Sequence, residues 1–396
     1  MEKVVILSAV RTPIGRFGGA FKDTSAVSLG VGASLEALNR ARLKPDQVDE
    51  VIFGHARQAG NGPNPARQIL YRSGIPAGRP AFTVNKACAS GMKAIALGYQ
   101  SLLLGENNVV LAGGIENMSQ IPYLLDGARW GYRLGDDALI DAMYRDGLFC
   151  PLAERIMGET AETLAEKYQI SRREQDHFAY ESQMKARESA ELGKFKEEIV
   201  PVAVKDKSAG ESYIVADEHP RPDTTLENLA KLAPVFKKGG SVTAGNSSGL
   251  TDGAAALILT TESQADRLGA KPMAEILGVA SAGVDPKEMG LGPVPATLRI
   301  TQKLGLSLTD FDLIEINEAF AAQVLACERE LRWDTARRNT GGGAIALGHP
   351  IGCTGARIAV TLLHSLIRED KELGLATLCV SGGQGMSLVL RRTEEW

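Results

Sequence analysis

The chain has little that would tie it to metals, membranes, nucleic acids or an oxidising compartment. Its five cysteines, Cys88, Cys150, Cys327, Cys353 and Cys379, are an odd number with no Cys-x-x-Cys pair. That argues against a disulfide framework or a cysteine zinc site, and for a reducing compartment. The five histidines show no metal-ligand spacing. No apolar run reaches the ~18 residues of a membrane span. Val4–Val10 is short and reads as a strand rather than a secretion signal, and Arg391–Trp396 carries no address, so the cytoplasm is the expected location. A net charge of −4 gives no footprint for nucleic acid or anionic lipid. Neither a phosphate loop nor Gly-x-Gly-x-x-Gly occurs, which leaves nucleotide hydrolysis and a dinucleotide fold without support.

What is present is an ordinary globular composition, 44% hydrophobic and 23% charged, over 396 residues. At ~100–200 residues per domain, two or three domains are expected. Strand and helix patterns alternate from the start: a strand at Val4–Val10, a helix at Ala33–Arg42, then strands at Asp49–Gly54 and Val109–Ala112. This order implies a layered α/β domain. From Ser119 to Gly249 the texture changes to dense charge and long polar helical patterns, Thr160–Tyr168 and Arg172–Leu192. That stretch reads as a large insertion.

After the insertion the first pattern returns. Ala33 and Leu35 match Ala296 and Leu298, and Asp49 matches Asp312 at an offset of 263. Ser90-Gly91 matches Thr354-Gly355, and Gly113-Gly114 matches Gly382-Gly383, each glycine pair expected just after a strand. A duplication follows, with the insertion in the first half. The expected units are 1–118 continued by 250–270, the insert 119–249, and 271–396.

One stretch stands out chemically. Cys88 lies among small residues, Ala87, Ala89, Ser90 and Gly91, between a short strand at Ala81–Val84 and a helix whose apolar face carries Met92, Ile95, Ala96, Tyr99, Leu102 and Leu103. A thiol at a helix start is expected to have a pKa drawn below its usual ~8.5 by the macrodipole. A small buried cysteine that merely packs is the competing reading. The duplication sets Cys88 beside Gly348-His349-Pro350, Asn317 and Cys379, if the halves are related by a pseudo-two-fold.

At these residues the chain closely resembles the thiolase family, in particular its acetyl-CoA acetyltransferases. The marks are Asn85-Lys86-Ala87-Cys88-Ala89-Ser90-Gly91, Met157-Gly158-Glu159-Thr160-Ala161-Glu162, Thr243-Ala244-Gly245-Asn246-Ser247-Ser248-Gly249, Asn317-Glu318-Ala319-Phe320, Gly342 to Pro350, and Cys379-x-x-Gly382-Gly383-x-Gly385. They span the whole chain. The resemblance implies two duplicated α/β halves in a five-layer αβαβα sandwich, with a loop domain over the active site.

It also implies roles. Cys88 is the nucleophile that takes the acyl group. His349 is its general base and helps hold a thioester oxygen. Cys379 is the second acid/base, working at the α-carbon. Asn317 holds a water in one oxyanion hole, and the N–H groups of Cys88 and Ser381 form the other. Ser248 contacts the pantetheine arm and Arg221 lies beside the adenine. Leu148, Met157, Phe236, Met289, Ala319 and Phe320 are pocket wall. Coenzyme A and acyl-CoA are substrates, no cofactor is held permanently, and the assembly is a homodimer or homotetramer, with Leu124–Arg133 as a tetramer hairpin.

Three positions depart from the family pattern: Ile156 stands for a histidine that touches CoA, Ser381 for a frequent glycine, and Gly341 for a frequent asparagine. A longer-chain 3-ketoacyl-CoA thiolase of fatty-acid degradation is an alternative, as is a decarboxylating ketoacyl synthase on the same fold or an acyl-CoA binder without catalysis. Gly245-Asn246-Ser247-Ser248-Gly249 also matches the Gly-x-Ser-x-Gly elbow of serine hydrolases, with Asp252 and His349 downstream in triad order.

Overall fold

The computed structural model describes residues 2–206 and 210–393. The first half runs β1 (Val4–Arg11), α1 (Ala26–Arg40), β2 (Glu50–His55), α2 (Pro65–Arg72), β3 (Ala81–Val84), α3 (Ser90–Leu103) and β4 (Val109–Asn117). The chain then leaves the sheet. Among other short elements, the excursion holds α4 (Met157–Lys167) and α5 (Arg172–Glu191), and the chain returns in β5 (Thr251–Thr261). The second half runs β6 (Ala274–Gly283), α6 (Pro293–Leu304), β7 (Leu313–Ile316), α7 (Ala321–Leu331), α8 (Ile351–Arg368), β8 (Leu373–Val380) and β9 (Gln384–Arg392).

Hydrogen bonds order the strands β7-β8-β9-β6-β1-β5-β4-β2-β3. Within each half the pairing is the same: β2 runs parallel to β4 as β7 does to β8, and β4 is antiparallel to β5 as β8 is to β9. Within the sheet the halves join at two paired positions, Val5 with Glu275 and Ile6 with Ala274. Alternation along the strands then decides the layers. Val110 and Ala112 of β4 and Leu378 and Val380 of β8 share one core with Met92 and Ile95 of α3 and Leu362 of α8. The opposite faces, Val109 and Leu111 in one half and Leu375 in the other, pack beneath α1 and α2 and beneath α7. The result is the five-layer αβαβα sandwich, with α3 and α8 as its middle layer.

The duplication is visible in matched hydrogen bonds. Asp49 Oδ2 accepts the N–H groups of Asn108 and Val109, at 2.9 and 3.1 Å. Asp312 Oδ2 accepts those of Glu372 and Leu373, at 3.1 and 2.9 Å. The glycine-pair match does not hold. Val109 and Leu373 occupy equivalent places, so Gly113-Gly114 lies inside β4 whereas Gly382-Gly383 lies in the turn beyond β8. Gly113 and Gly114 are there for close packing, since a Cβ on Gly114 would meet the Gly352 carbonyl oxygen at 2.5 Å.

The middle helices cross at a reciprocal pair of glycines. A Cβ on Gly91 would come within 2.7 Å of the Ala356 nitrogen, and one on Gly355 within 2.5 Å of the Met92 nitrogen. Elsewhere α1 begins at Ala26, seven residues before the sequence reading, capped by Ser25, whose side chain accepts from the Ser28 N–H. Gly30 disguises that start, and it is needed where Ile69 and Ile115 press on its Cα at 2.6 and 2.8 Å from a built Cβ.

Candidate active site

Cys88 does not sit on α3 itself. It occupies a tight turn, Ala87–Ala89, just ahead of Ser90. Ala87 has a φ of 45°, a region costly for a residue with a Cβ. Side chains hold the turn: Asn85 Oδ1 accepts the Ala87 N–H at 2.9 Å, and Ser90 Oγ accepts from the Lys86 N–H at 2.9 Å while donating to the Ala87 carbonyl at 2.7 Å.

His349 stands in the same relation to the other middle helix. It follows Gly348, whose φ of 100° and contact with Thr251 admit only glycine, and it precedes α8 at Ile351. Its Nδ1 lies 2.6 Å from Thr354 Oγ1, and that hydroxyl donates to the Pro350 carbonyl at 3.0 Å. With its one proton committed there, the hydroxyl accepts from Nδ1–H. The network therefore assigns the tautomer with a bare Nε2. Burial, then the charges of Arg357 and Arg57, push the His349 pKa down to about 3. The ring is a neutral base at any ordinary pH.

A cavity of about 750 Å³ brings Cys88, His349, Cys379 and Ser381 together. Ser248, Arg221, Leu148, Met157, Phe236, Met289, Ala319 and Phe320 line it too. Phe236 and Phe320 meet edge to face at 6.0 Å, and Cys379 packs against Met289, Ala319 and Phe320. Asn317 is the exception. It is fully buried, is not a lining residue, and neither atom of its amide has a partner among the described residues.

The thiols contradict the helix-start expectation. Burial pushes the Cys88 pKa up, and the N–H groups of Ser381 and Cys88 and the charge of Arg57 only partly oppose it. Desolvation outweighs the macrodipole because the half-buried sulfur lies inside the cavity, away from bulk water. Cys379, on β8, is raised well above the ordinary value by burial first and by Cys88 second. At rest both are thiols, and two thiolates side by side are disfavoured.

The hydrolase triad does not assemble. Ser247 Oγ donates to the Thr243 carbonyl at 2.7 Å, and Asp252 is held by Ser119 at 2.5 Å rather than by His349.

The thiolase N-terminal domain model matches residues 4–263, and the thiolase C-terminal domain model matches 270–392. The chain belongs to the thiolase family. This thiolase is 52% identical to an acetyl-CoA acetyltransferase of Pseudomonas aeruginosa, over 99% of this chain and 100% of that one. The crystal structure of the Bacillus anthracis acetyl-CoA acetyltransferase superposes with a TM-score of 0.97 at 47% identity, covering 99% of each chain. Human mitochondrial 3-ketoacyl-CoA thiolase does so at 0.96 and 43%, again over 99% of each. The thiolase is therefore an acyltransferase enzyme, and the serine-hydrolase reading falls. Among the described residues no helix is long and apolar enough to cross a membrane, and no acidic, histidine or cysteine cluster could hold a metal.

Two participants had no place in the sequence reading. Thr354 was aligned with Ser90, without a part in setting the tautomer of His349. Arg57 lines the cavity and carries no motif.

Proposed function

We propose that this thiolase condenses two molecules of acetyl-CoA to acetoacetyl-CoA, and runs the reverse thiolysis of 3-ketoacyl-CoA, through an acyl-Cys88 intermediate. The gathering of Cys88, His349, Cys379 and Ser381 around one cavity carries this reading. His349 Nε2 takes the Cys88 proton as the sulfur attacks the thioester carbonyl. The N–H groups of Cys88 and Ser381 stabilise the oxyanion. CoA then leaves as the thiol, taking the proton of Cys379, while His349 keeps the proton of Cys88. With Cys88 acylated and uncharged, the Cys379 thiolate has no second thiolate beside it, and it takes a proton from the methyl group of the second acetyl-CoA. The carbanion attacks the acyl carbon and displaces Cys88, which recovers its proton from His349. Asn317 serves the second oxyanion through a water.

The segment 119–249 acts as the loop domain over this site, between the halves 1–118 with 250–270 and 271–396. Ser248 and Arg221 hold the pantetheine arm and the adenine. A dimer or tetramer in the cytoplasm is the working form. The antiparallel pair of Tyr123–Leu124 with Ile140–Asp141, whose loop exposes Trp130 and Leu134, supports the tetramer hairpin. The likeness to a 3-ketoacyl-CoA thiolase keeps longer chains as a second reading, with a place in fatty-acid metabolism.

The test is incubation with acetyl-CoA followed by peptide mass spectrometry. Acetylation at Cys88 is expected. Labelling only elsewhere, with full activity in Cys88→Ala, overturns the assignment. Thiolysis of 3-ketoacyl-CoA substrates of rising length separates the two chain-length readings.

A further inference from the structure

Three arginines line the active-site cavity: Arg16, Arg57 and Arg221. Arg16 pairs with Glu218, 3.6 Å away and three residues before Arg221, so these two cations belong to the same side of the mouth. Arg57 is different. It follows β2, it lines the cavity together with Cys88 and His349, and the carbonyl of the preceding residue, Ala56, accepts from Asn85 Nδ2 of the Cys88 turn at 3.1 Å, which puts it at the reacting end. Its guanidinium packs on Gly147, where a built Cβ would fall 2.7 Å from Nε, and the next residue, Leu148, is pocket wall.

This cation has no counter-charge among the described residues. Its Nε is buried without a hydrogen-bond partner, and the guanidinium joins no ion pair. The nearby carboxylate, Glu116, is already committed. It accepts the backbone N–H of Arg57 at 3.2 Å and that of Gly352 at 2.9 Å, and it lies 3.1 Å from His55 Nε2. Arg57 is half-buried, with Nε shut off from water and given no acceptor, and an anion in the cavity would supply the missing partner.

We infer that Arg57 is a specificity residue that receives a carboxylate at the far end of the acyl chain, so that the preferred substrates of thiolysis are 3-ketoacyl-CoA thioesters ending in a carboxylate. The inference rests on the thiolase reading. The phosphates of CoA are the other source of negative charge. Arg16 and Arg221 at the mouth suit those, and Arg57, which shares the cavity with Cys88 and follows the residue bonded to the Cys88 turn, suits the acyl end.

The experiment compares thiolysis of paired 3-ketoacyl-CoA substrates of equal length, one ending in a carboxylate and one in a methyl group. Acetoacetyl-CoA serves as reference, and KM for CoA is measured throughout. Wild type should favour the carboxylate member in kcat/KM by about 10–100-fold at the best length, the range for a hydrogen bond to a charged group. Arg57→Leu should abolish that ratio, and Arg57→Lys should retain part of it. If Arg57 served only the thiol of Cys88, Arg57→Leu would slow both members equally and leave the ratio intact, and the inference fails. A wild type that turns over acetoacetyl-CoA without preferring the carboxylate member overturns it without any variant. A rise in KM for CoA alone in Arg57→Leu assigns the cation to a CoA phosphate and also overturns it. A wild type inactive on every thioester, acetoacetyl-CoA included, removes the thiolase reading and the inference together.

Discussion

His349 and Thr354 form a pair in which the hydroxyl sets the proton on the ring: Nδ1 donates to Oγ1 across 2.6 Å because Oγ1 has already spent its own proton on Pro350. Thr354 is thus a positioning residue for the base. Thr354→Val keeps the shape and removes the acceptor. The ring then has no partner fixing its tautomer, and a buried donor is left bare at a cost of about 1–3 kcal/mol. We expect kcat to fall about 10–100-fold, KM to change less, and Thr354→Ser to restore most of the rate. An unchanged kcat, or no rescue by serine, would remove Thr354 from the mechanism.

Cys379 should be separable from Cys88. Cys379→Ser should still be acylated by acetyl-CoA, since that step needs no carbanion. It should lose condensation by at least ~10²–10⁴-fold, the usual worth of a general base. Solvent deuterium should enter the methyl group of acetyl-CoA with wild type and not with the variant. Exchange at the wild-type rate would make Cys379 a packed strand residue.

Acid should destabilise the fold through its buried imidazoles. Burial holds His349 at about 3 and lowers His219 and His364 as well, against ~6.5 in the unfolded chain. Below pH ~6.5 the unfolded state binds protons that the folded state refuses, so this stability is whole above that pH and is lost as the pH falls. Glu315, raised to about 8 by burial, and Asp252, raised to about 6, act in the opposite sense, as do Glu50 and Glu328. The imidazole share is therefore read as a difference: the urea midpoint of wild type relative to His364→Gln should drop between pH 7 and pH 5. A flat or rising profile would mean that these imidazoles stay solvated.

Arg11, at the end of β1, ties the excursion to the sheet. It is fully buried, with Glu198 at 2.6 Å and Asp217 at 2.6 and 2.9 Å, both from the segment between β4 and β5. Arg11→Met strands two buried carboxylates, a cost of about 3–5 kcal/mol. Thermal unfolding should show it. A loss under about 1 kcal/mol would mean that water reaches the carboxylates.

The parts of this architecture that were readable from sequence are those in which one residue does one local job twice. Asp49 and Asp312 each cap the start of a neighbouring strand, so the chemistry repeats and the offset shows. Gly113-Gly114 misled because a glycine pair serves a strand packed on a helix as well as a turn. Identity alone does not tell the two apart. The helix-start argument for Cys88 takes a solvated terminus, and here the sulfur lies inside the cavity, in the turn ahead of the helix. Apart from Cys88, the residues that line the cavity were legible only through the family resemblance, and Arg57, which the resemblance did not single out, was not.

The nucleophile and the base also belong to different halves. Cys88 precedes α3 and His349 precedes α8, and the two helices touch at Gly91 and Gly355 with no room for a methyl group. Gly91→Ala or Gly355→Ala would push the helices apart and draw the base from the nucleophile, so activity should fall further than stability. A chain severed in the 270–273 link, ahead of β6, would leave Cys88 on one fragment and Asn317, His349 and Cys379 on the other. Neither piece could turn over substrate alone. Recovered turnover on mixing would count, molecule by molecule, how many pairs had docked in register, which makes the chemistry of this enzyme a gauge of its own assembly.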